Sequence, residues 1–450
     1  MQIRRRSFIR YASLAAAGNL AGLRPFGAMN ALAATTPTDY KALVCIFLYG
    51  GNDANNMVVP FDTAGYSNYA ALRTAAGSSI AIPQASLLPL TPLPNFALHP
   101  SLPDVQSLFN SNNAAIVANV GTLTQPITRA QYLAGGTVPA NLFSHPDQQE
   151  EWQNAAATSA TPTGWAGRIS DALNGSYNAG ASIPMVTSVS GDTLFCNGVS
   201  TTPVSVSPGN LGNAGCSEGA ECSARAAAAQ SLITLSSGVS LVTEDDGITS
   251  NAYQYAKVLT AATQSVTPLQ TVFPAKNGLA AQLQQIAQII QVRAALGVQR
   301  QIFFCGIGNF DTHSDQLALQ ATLLSGISPA MAAFYNATVE MGVQSQVTSF
   351  TMSDFARTFQ PNSNTGTDHA WGSHHIVFGG AVNGGRMYGT FPTLALAGPD
   401  DSGTNGRWVP STGSAQYAAT LATWFGVPAN QLATVFPNIG TFATNNLGFV

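Results

Sequence analysis

Five side chains able to hold a metal ion or move a proton fall within the 25 residues from Thr351 to His375: Asp354, Asp368, His369, His374 and His375. They include half of the chain's six histidines, in a sequence of which only 8% is charged. Carboxylate oxygens beside imidazole nitrogens suit a divalent cation, and the same groups suit general acid–base chemistry. Two further groups have the same character, Asp311 with His313 in G-I-G-N-F-D-T-H and Asp53 in G-G-N-D. A fourth, Ser144-His145, opens the stretch H-P-D-Q-Q-E-E-W-Q. Ser144 there is either a helix N-cap or a nucleophile, since exposed amides at a helix start receive an oxyanion. The competing account is ordinary: Asp residues that make turns and His residues in solvent.

What must position these groups is legible as alternating helix and strand. Ala42–Tyr49 and Ala114–Val120 are unbroken apolar runs closed by glycine, which predicts strands buried on both faces. Gln301–Cys305 and Val347–Met352 predict two more, and Ile183–Val189 a shorter run. Gly278–Leu296 places Leu279, Leu283, Ile286, Ile289, Ile290 and Val292 at helical spacing, with Gly297 to end the helix. Helices are also expected around 318–340 and 415–425. Asp53, Asp311 and Asp354 each follow a predicted strand. In a parallel sheet such exits share one edge, which is where ligands bind in open α/β folds. Residues hundreds of positions apart are thereby predicted to meet in one site.

The first residues carry a different message. Arg4-Arg5-Arg6-Ser7-Phe8-Ile9-Arg10 contains a twin-arginine pattern, an alanine-rich run follows, and Ala31-Leu32-Ala33 is a small-x-small cleavage site. Residues 1–33 are therefore expected to be a Tat signal peptide, with the Tat translocase as a partner during export and a periplasmic or secreted product. Gly18, Asn19, Gly22, Arg24 and Pro25 interrupt the run short of a membrane-spanning length, so no stable membrane anchor is expected. Those residues hold five arginines and no acid, so their removal takes the formal charge from −4 to near −9. Such a chain repels nucleic acid and anionic lipid, and neither is expected as a partner.

Of the five cysteines, Cys45 and Cys305 lie in strand-like runs and are expected to be buried thiols. Cys216 and Cys222 are the easiest bridge, with Cys196 pairing to either as the rival. No C-x-x-C pair occurs, against a zinc knuckle or a redox protein. From about 174 to 250 the chain is rich in Ser, Gly and Asn, expected as an insertion in one domain spanning 40–450.

The motifs G-G-N-D, F-S-H-P-D-Q-Q-E-E-W-Q, G-W-A-G-R, F-D-T-H-S-D-Q, S-D-F-A-R-T-F, G-T-D-H-A-W-G-S-H-H and G-G-A-V-N-G-G-R-M-Y-G, in this order, resemble the bacterial domain-of-unknown-function 1501 family. That family resembles the alkaline phosphatase and sulfatase superfamily. The resemblance implies a mixed, mostly parallel sheet sandwiched by helices, with divalent metal (Zn, Mn, Mg or Ca) at the strand ends. It implies Asp53 as a first-strand metal aspartate and Asp311 with His313 as a later ligand pair, spaced D-x-H where the superfamily has D-x-x-x-H. Asp354 stands where a D-H-G motif is expected, with Phe355 in the histidine's place. Asp368 with His369, or His374 and His375, are then expected to supply the missing nitrogen. Ser144 or Thr122 is the candidate nucleophile with His145 beside Ser144, and Arg357 or Arg129 the clamp on a non-bridging oxygen.

The expected function is an exported metal-dependent hydrolase of phosphate or sulfate esters, acting on a small anionic ester. The alternative is a degenerate member of the fold that binds a ligand or protein without turnover.

Overall fold

The computed structural model describes residues 39–75, 78–156, 162–209, 220–233 and 240–450. The expected signal segment and Cys216 lie outside them. Residues 39–450 form one compact unit.

The apolar runs become strands as their pattern predicts. β1 is Lys41–Leu48, β2 Ala114–Gly121, β3 Val186–Ser188, β4 Val204–Ser205 and β5 Arg300–Ile307. β6 is Val347–Ser353, β7 Ser373–Phe378, β8 Met387–Gly389 and β9 Thr412–Gly413. They form one sheet in the order β8-β2-β7-β6-β1-β5-β3-β4, with β9 also pairing β2. β1 lies parallel between β5 and β6, β5 is parallel to β3, and β3 to β4. β8 and β9 run parallel to β2. β7 alone runs the other way, antiparallel to both β6 and β2. The sheet is thus mixed and mostly parallel, as expected. The Ser/Gly-rich stretch supplies β3 and β4 at its edge and the helices Ala220–Ile233 and Ser240–Gln264.

Helices cover both faces, which is why β1 and β2 are apolar at nearly every position rather than at alternate ones. Successive strand side chains point to opposite faces. Ala42, Val44, Ile46 and Leu48 enter one core with α2 (Pro103–Asn110), α5 (Gly278–Gln291) and α6 (Gln316–Glu340). Leu43, Cys45 and Phe47 enter the other with α4 (Trp165–Tyr177) and α7 (Ser414–Phe425). α5 buries Leu279, Leu283, Ile286, Ile289 and Ile290, the stripe read from its spacing, and is capped by Asn277. α6 is long and apolar enough to cross a membrane, but Leu324, Ile327, Met331 and Phe334 are built into the first core. Cys45, Cys196 and Cys305 are buried free thiols.

Three strands deliver residues to one edge. β1 ends at Leu48, β5 at Ile307 and β6 at Ser353, in register with one another. The chain leaves β1 through Gly50 and Gly51, both at positive φ. A Cβ on Gly50 would lie 2.5 Å from the Asp311 amide nitrogen, and one on Gly51 would lie 2.6 Å from the Phe355 ring. Only glycine permits that turn and that approach together.

Candidate metal centre

The site is built around Asp311, just past β5, half-exposed and ringed by nitrogen. Arg357 Nη1 donates to its Oδ1 at 2.7 Å. The Nε2 atoms of His313 and His369 lie 3.0 and 3.2 Å from Oδ1, and His145 Nε2 lies 3.4 Å from Oδ2. His313 and His369 face each other through Nε2 at 3.0 Å. One ligand atom each from His145, Asp311 and His369 lies within 4.8 Å of the others.

Each imidazole is anchored by its other nitrogen. His145 Nδ1 lies 2.7 Å from Asp354 Oδ2, His369 Nδ1 lies 2.7 Å from the Phe143 carbonyl, and His313 Nδ1 lies 3.2 Å from Asp368 Oδ1. Metal-binding histidines have this arrangement, in which an outer carboxylate or carbonyl fixes the ring and leaves the other nitrogen for the ion. Two further facts test the fit. His145 Nε2 is buried and makes no hydrogen bond. The contacts of 3.0–3.4 Å between these donor atoms lie at or somewhat inside the roughly 3.3–3.4 Å edge of a tetrahedron with bonds of about 2.0–2.1 Å. The two imidazoles of His145 and His369 with the Asp311 carboxylate therefore have the donor chemistry of a site for a divalent ion of the zinc class, and His313 stands beside them on Asp311 Oδ1 and His369 Nε2.

Electrostatics separate the members. The hydrogen bond that His145 Nδ1 donates to Asp354 raises the His145 pKa against the effect of burial, with Asp311 adding to it. Burial lowers that of His369, and Arg357 and His145 lower it further. Burial works to raise the Asp311 carboxyl, but Arg357, His313 and His145 together hold it below the usual range.

The other expected residues fall differently. Asp354 is buried and is not at the centre of the cluster. It accepts from Gly50 N at 3.1 Å and Gln149 Nε2 at 2.8 Å as well as facing His145, so it orients a ligand. Asp368 serves His313 in the same way. Asp53 is buried and ion-paired with Arg73, and accepts from Gln316 Nε2 at 3.0 Å and Asn55 N at 3.1 Å. Arg73, not an ion, neutralises it.

His374 and His375 do not supply the nitrogen expected of them. Both sit on β7, where consecutive side chains enter opposite faces and both faces are covered. His374 stacks on Phe391 at 4.7 Å and its Nδ1 accepts from Asn119 N. His375 packs on Trp152 and Tyr417. Burial lowers the pKa of each to about 3.

Ser144 occupies the N-cap position of α3 (His145–Asn154) but makes no side-chain cap to the backbone. Its hydroxyl donates to Asp147 instead, and none of its hydrogen bonds reaches the cluster. Thr122 is buried, with its hydroxyl on Gln148 Oε1 at 2.6 Å. Arg357 is fully buried, with Nε on Thr367 Oγ1, Nη2 on Thr367 O and Nη1 on Asp311. Its donors are committed, so it holds Asp311 rather than gripping an ester. Arg129 Nε donates to Asp401 O.

Two residues were not anticipated. Arg407 donates from Nε to His369 O at 2.9 Å and lies over the Phe143 ring, leaving both Nη groups without an acceptor among the described residues. Phe355 packs against His145 at 4.8 Å and His369 at 4.6 Å. In the sequence, position 355 stands out only as phenylalanine where the D-H-G pattern has histidine. Arg407 lies outside every motif, and its place depends on a contact 38 residues back along the chain.

A family profile described as "Protein of unknown function (DUF1501)" matches residues 40–405. No curated protein matches the chain. Solved structures similar to it include Ps i-CgsB (10% identity, TM-score 0.37, covering 89% of this chain and 77% of that one). The lipoteichoic acid synthase LtaP from Listeria monocytogenes is similar at 9% identity and TM-score 0.36, over 89% of this chain and 78% of its own. The PsFucS1 sulfatase from Pseudoalteromonas sp. is similar at 8% identity and TM-score 0.35, over 99% and 74%. Likenesses this loose assign neither site nor substrate.

Proposed function

Because the chain belongs to the DUF1501 family, whose description names no activity, we propose its function from the site: an exported, metal-dependent hydrolase of phosphate or sulfate esters. One observation carries the reading. Three histidines, each anchored at Nδ1, turn Nε2 toward a single carboxylate at the sheet edge where α/β proteins bind ligands.

His145, His369 and Asp311 would hold the ion, with His313 against Asp311 and His369. When bound, such an ion polarises an ester oxygen and lowers the pKa of an attacking water. The chain's own residues do the rest. Arg357 and Asp354 keep Asp311 and His145 in place through 2.7 Å contacts. Arg407, with its Nη groups uncommitted, is the guanidinium suited to a non-bridging oxygen of the ester. Phe355 walls the histidines from one side and restricts water there. Ser144 and Thr122 are engaged elsewhere, so a water, not a side-chain hydroxyl, is the attacking group.

The test is metal content by mass spectrometry on purified protein, followed by hydrolysis of 4-nitrophenyl phosphate and sulfate. About one divalent ion per chain, lost in Asp311→Ala together with turnover, is expected. Protein that stays metal-free after supplementation and inert toward both esters would overturn the reading. The second reading, a ligand-binding protein without turnover, draws on Phe355 standing where the superfamily pattern has a histidine.

A further inference from the structure

Resting on that reading, we propose that Gln316 is a positioning residue of the Asp311 cluster: it ties Arg357, and through it the Asp311 carboxylate, to the buried carboxylate of Asp53. A line of hydrogen bonds joins the two. Arg357 Nε donates to Thr367 Oγ1 at 3.1 Å, Thr367 Oγ1 lies 3.1 Å from Gln316 Oε1, and Gln316 Nε2 donates to Asp53 Oδ2 at 3.0 Å. At the near end Arg357 Nη1 holds Asp311 Oδ1 at 2.7 Å. At the far end Asp53 is closed by Arg73. Arg357, Thr367, Gln316 and Asp53 are each at most 1% exposed, so solvent does not compete for the bonds between them.

The line has one direction. A guanidinium only donates and a carboxylate only accepts, whereas an amide and a hydroxyl do either. Asp53 therefore takes the Nε2 end of Gln316, whose second hydrogen goes to Gln320 Oε1 at 3.0 Å. That leaves Oε1 facing the hydroxyls of Thr312 and Thr367. Thr367 gives its one hydrogen to Oε1 and turns a lone pair to Arg357 Nε. The Thr367 carbonyl receives Nη2 at 2.6 Å, which fixes the guanidinium plane and aims Nη1 at Asp311. The line draws on the chain just past β1 (Asp53), the first residue of α6 (Gln316) and the span between β6 and β7 (Arg357, Thr367). Apolar side chains at 316 and 367 would fill the same space without the desolvation that buried polar groups incur. What they would not supply is the orientation of Arg357. Asp53 is thus linked to a centre that it does not enter.

The test reads the metal-free full chain by NMR and then measures its zinc affinity. Gln316→Met and Thr367→Val break the line while keeping side-chain shape, Thr367→Ser keeps the hydroxyl, and Ile290→Ala loosens the core at α5 as a control. Exchange of the Arg357 Nε hydrogen with water is expected to quicken about tenfold or more in the first two variants. The imidazole signals of His313 and His369, which face Asp311, should move with it. Thr367→Ser and Ile290→Ala should keep the parent's values. Zinc affinity, from competition with a chromophoric chelator, should fall about tenfold or more in the same two variants and stay within about threefold in the others. Parent-like exchange and imidazole signals in both Gln316→Met and Thr367→Val, or equal changes in Ile290→Ala, would overturn the inference, as would unchanged zinc affinity in both. A parent that binds no zinc ends the metal reading alone, and the NMR comparison then decides whether Gln316 places Asp311.

Discussion

Asp354 is buried under His145, with Oδ2 2.7 Å from Nδ1, while the same ring's Nε2 is left 3.4 Å from Asp311. The strand exit of β6 therefore supplies an orienting group, and the exit of β5 supplies the group it is oriented toward. Asp354→Asn keeps the size and loses the charge. Metal affinity is expected to fall 10–100-fold, as when outer partners of metal-bound histidines are changed, with the folded structure retained. Competitive titration against a chromophoric chelator checks this, and unchanged affinity would remove Asp354 from the centre.

Asp53 and Arg73 form a fully buried pair. Arg73→Met leaves a buried carboxylate without its cation, which costs about 3–5 kcal/mol. Asp53→Asn in the Arg73→Met background should recover part of that loss. Urea denaturation of the two variants measures both, and a single variant as stable as the parent would show that Asp53 has another counter-ion.

Ser144→Ala is expected to leave turnover within about twofold, because the hydroxyl serves Asp147. A nucleophile's loss costs several orders of magnitude in kcat. Steady-state rates on a 4-nitrophenyl ester separate the two, and a collapse of kcat would restore Ser144 as the attacking group.

Acid lability follows from β7. His374 and His375 titrate near 3 when folded and near 6.5 as free side chains. Between those values the unfolded chain takes up protons that the folded one refuses, so stability falls as pH falls, by about 1.4 kcal/mol per unit for each histidine. Glu151 acts in the opposite sense. Burial, with Glu150 and Asp147 nearby, raises it from 4.5 to about 7. Its contribution is full below pH 4.5 and is lost as pH rises through 7. Denaturation midpoints between pH 4 and 8 should drop steeply below 6.5, and Glu151→Gln should gain on the parent from pH 5 to 8. A parent midpoint that does not fall below pH 6.5 would contradict the histidine assignment, and a Glu151→Gln midpoint that tracks the parent's at every pH would contradict that of Glu151.

The fold was largely legible because its strands and α5 advertise themselves through local pattern. Runs such as 42–49 and 347–352 needed no distant information, and the convergence of Asp311 and Asp354 followed from parallel order. What local pattern does not carry is which partner each side chain finds. Asp53, at a strand exit like the others, is claimed by Arg73 twenty residues on. His374 and His375 have ligand chemistry but lie inside a strand that both layers cover. By local pattern His145 is only the companion of Ser144, and its part as a fourth member around Asp311 depends on α3 docking against the ends of β5 and β6.

Because β7 alone reverses direction, the chain leaves the sheet after β6 and re-enters it on the same rim. Residues 354–372 are thus tethered at both ends, and Phe355, Arg357, Asp368 and His369 ride on a span clamped like a bridge between two piers. It has no free end to swing aside. Traffic to and from Asp311 must then pass along its flank, on the side where α3 begins.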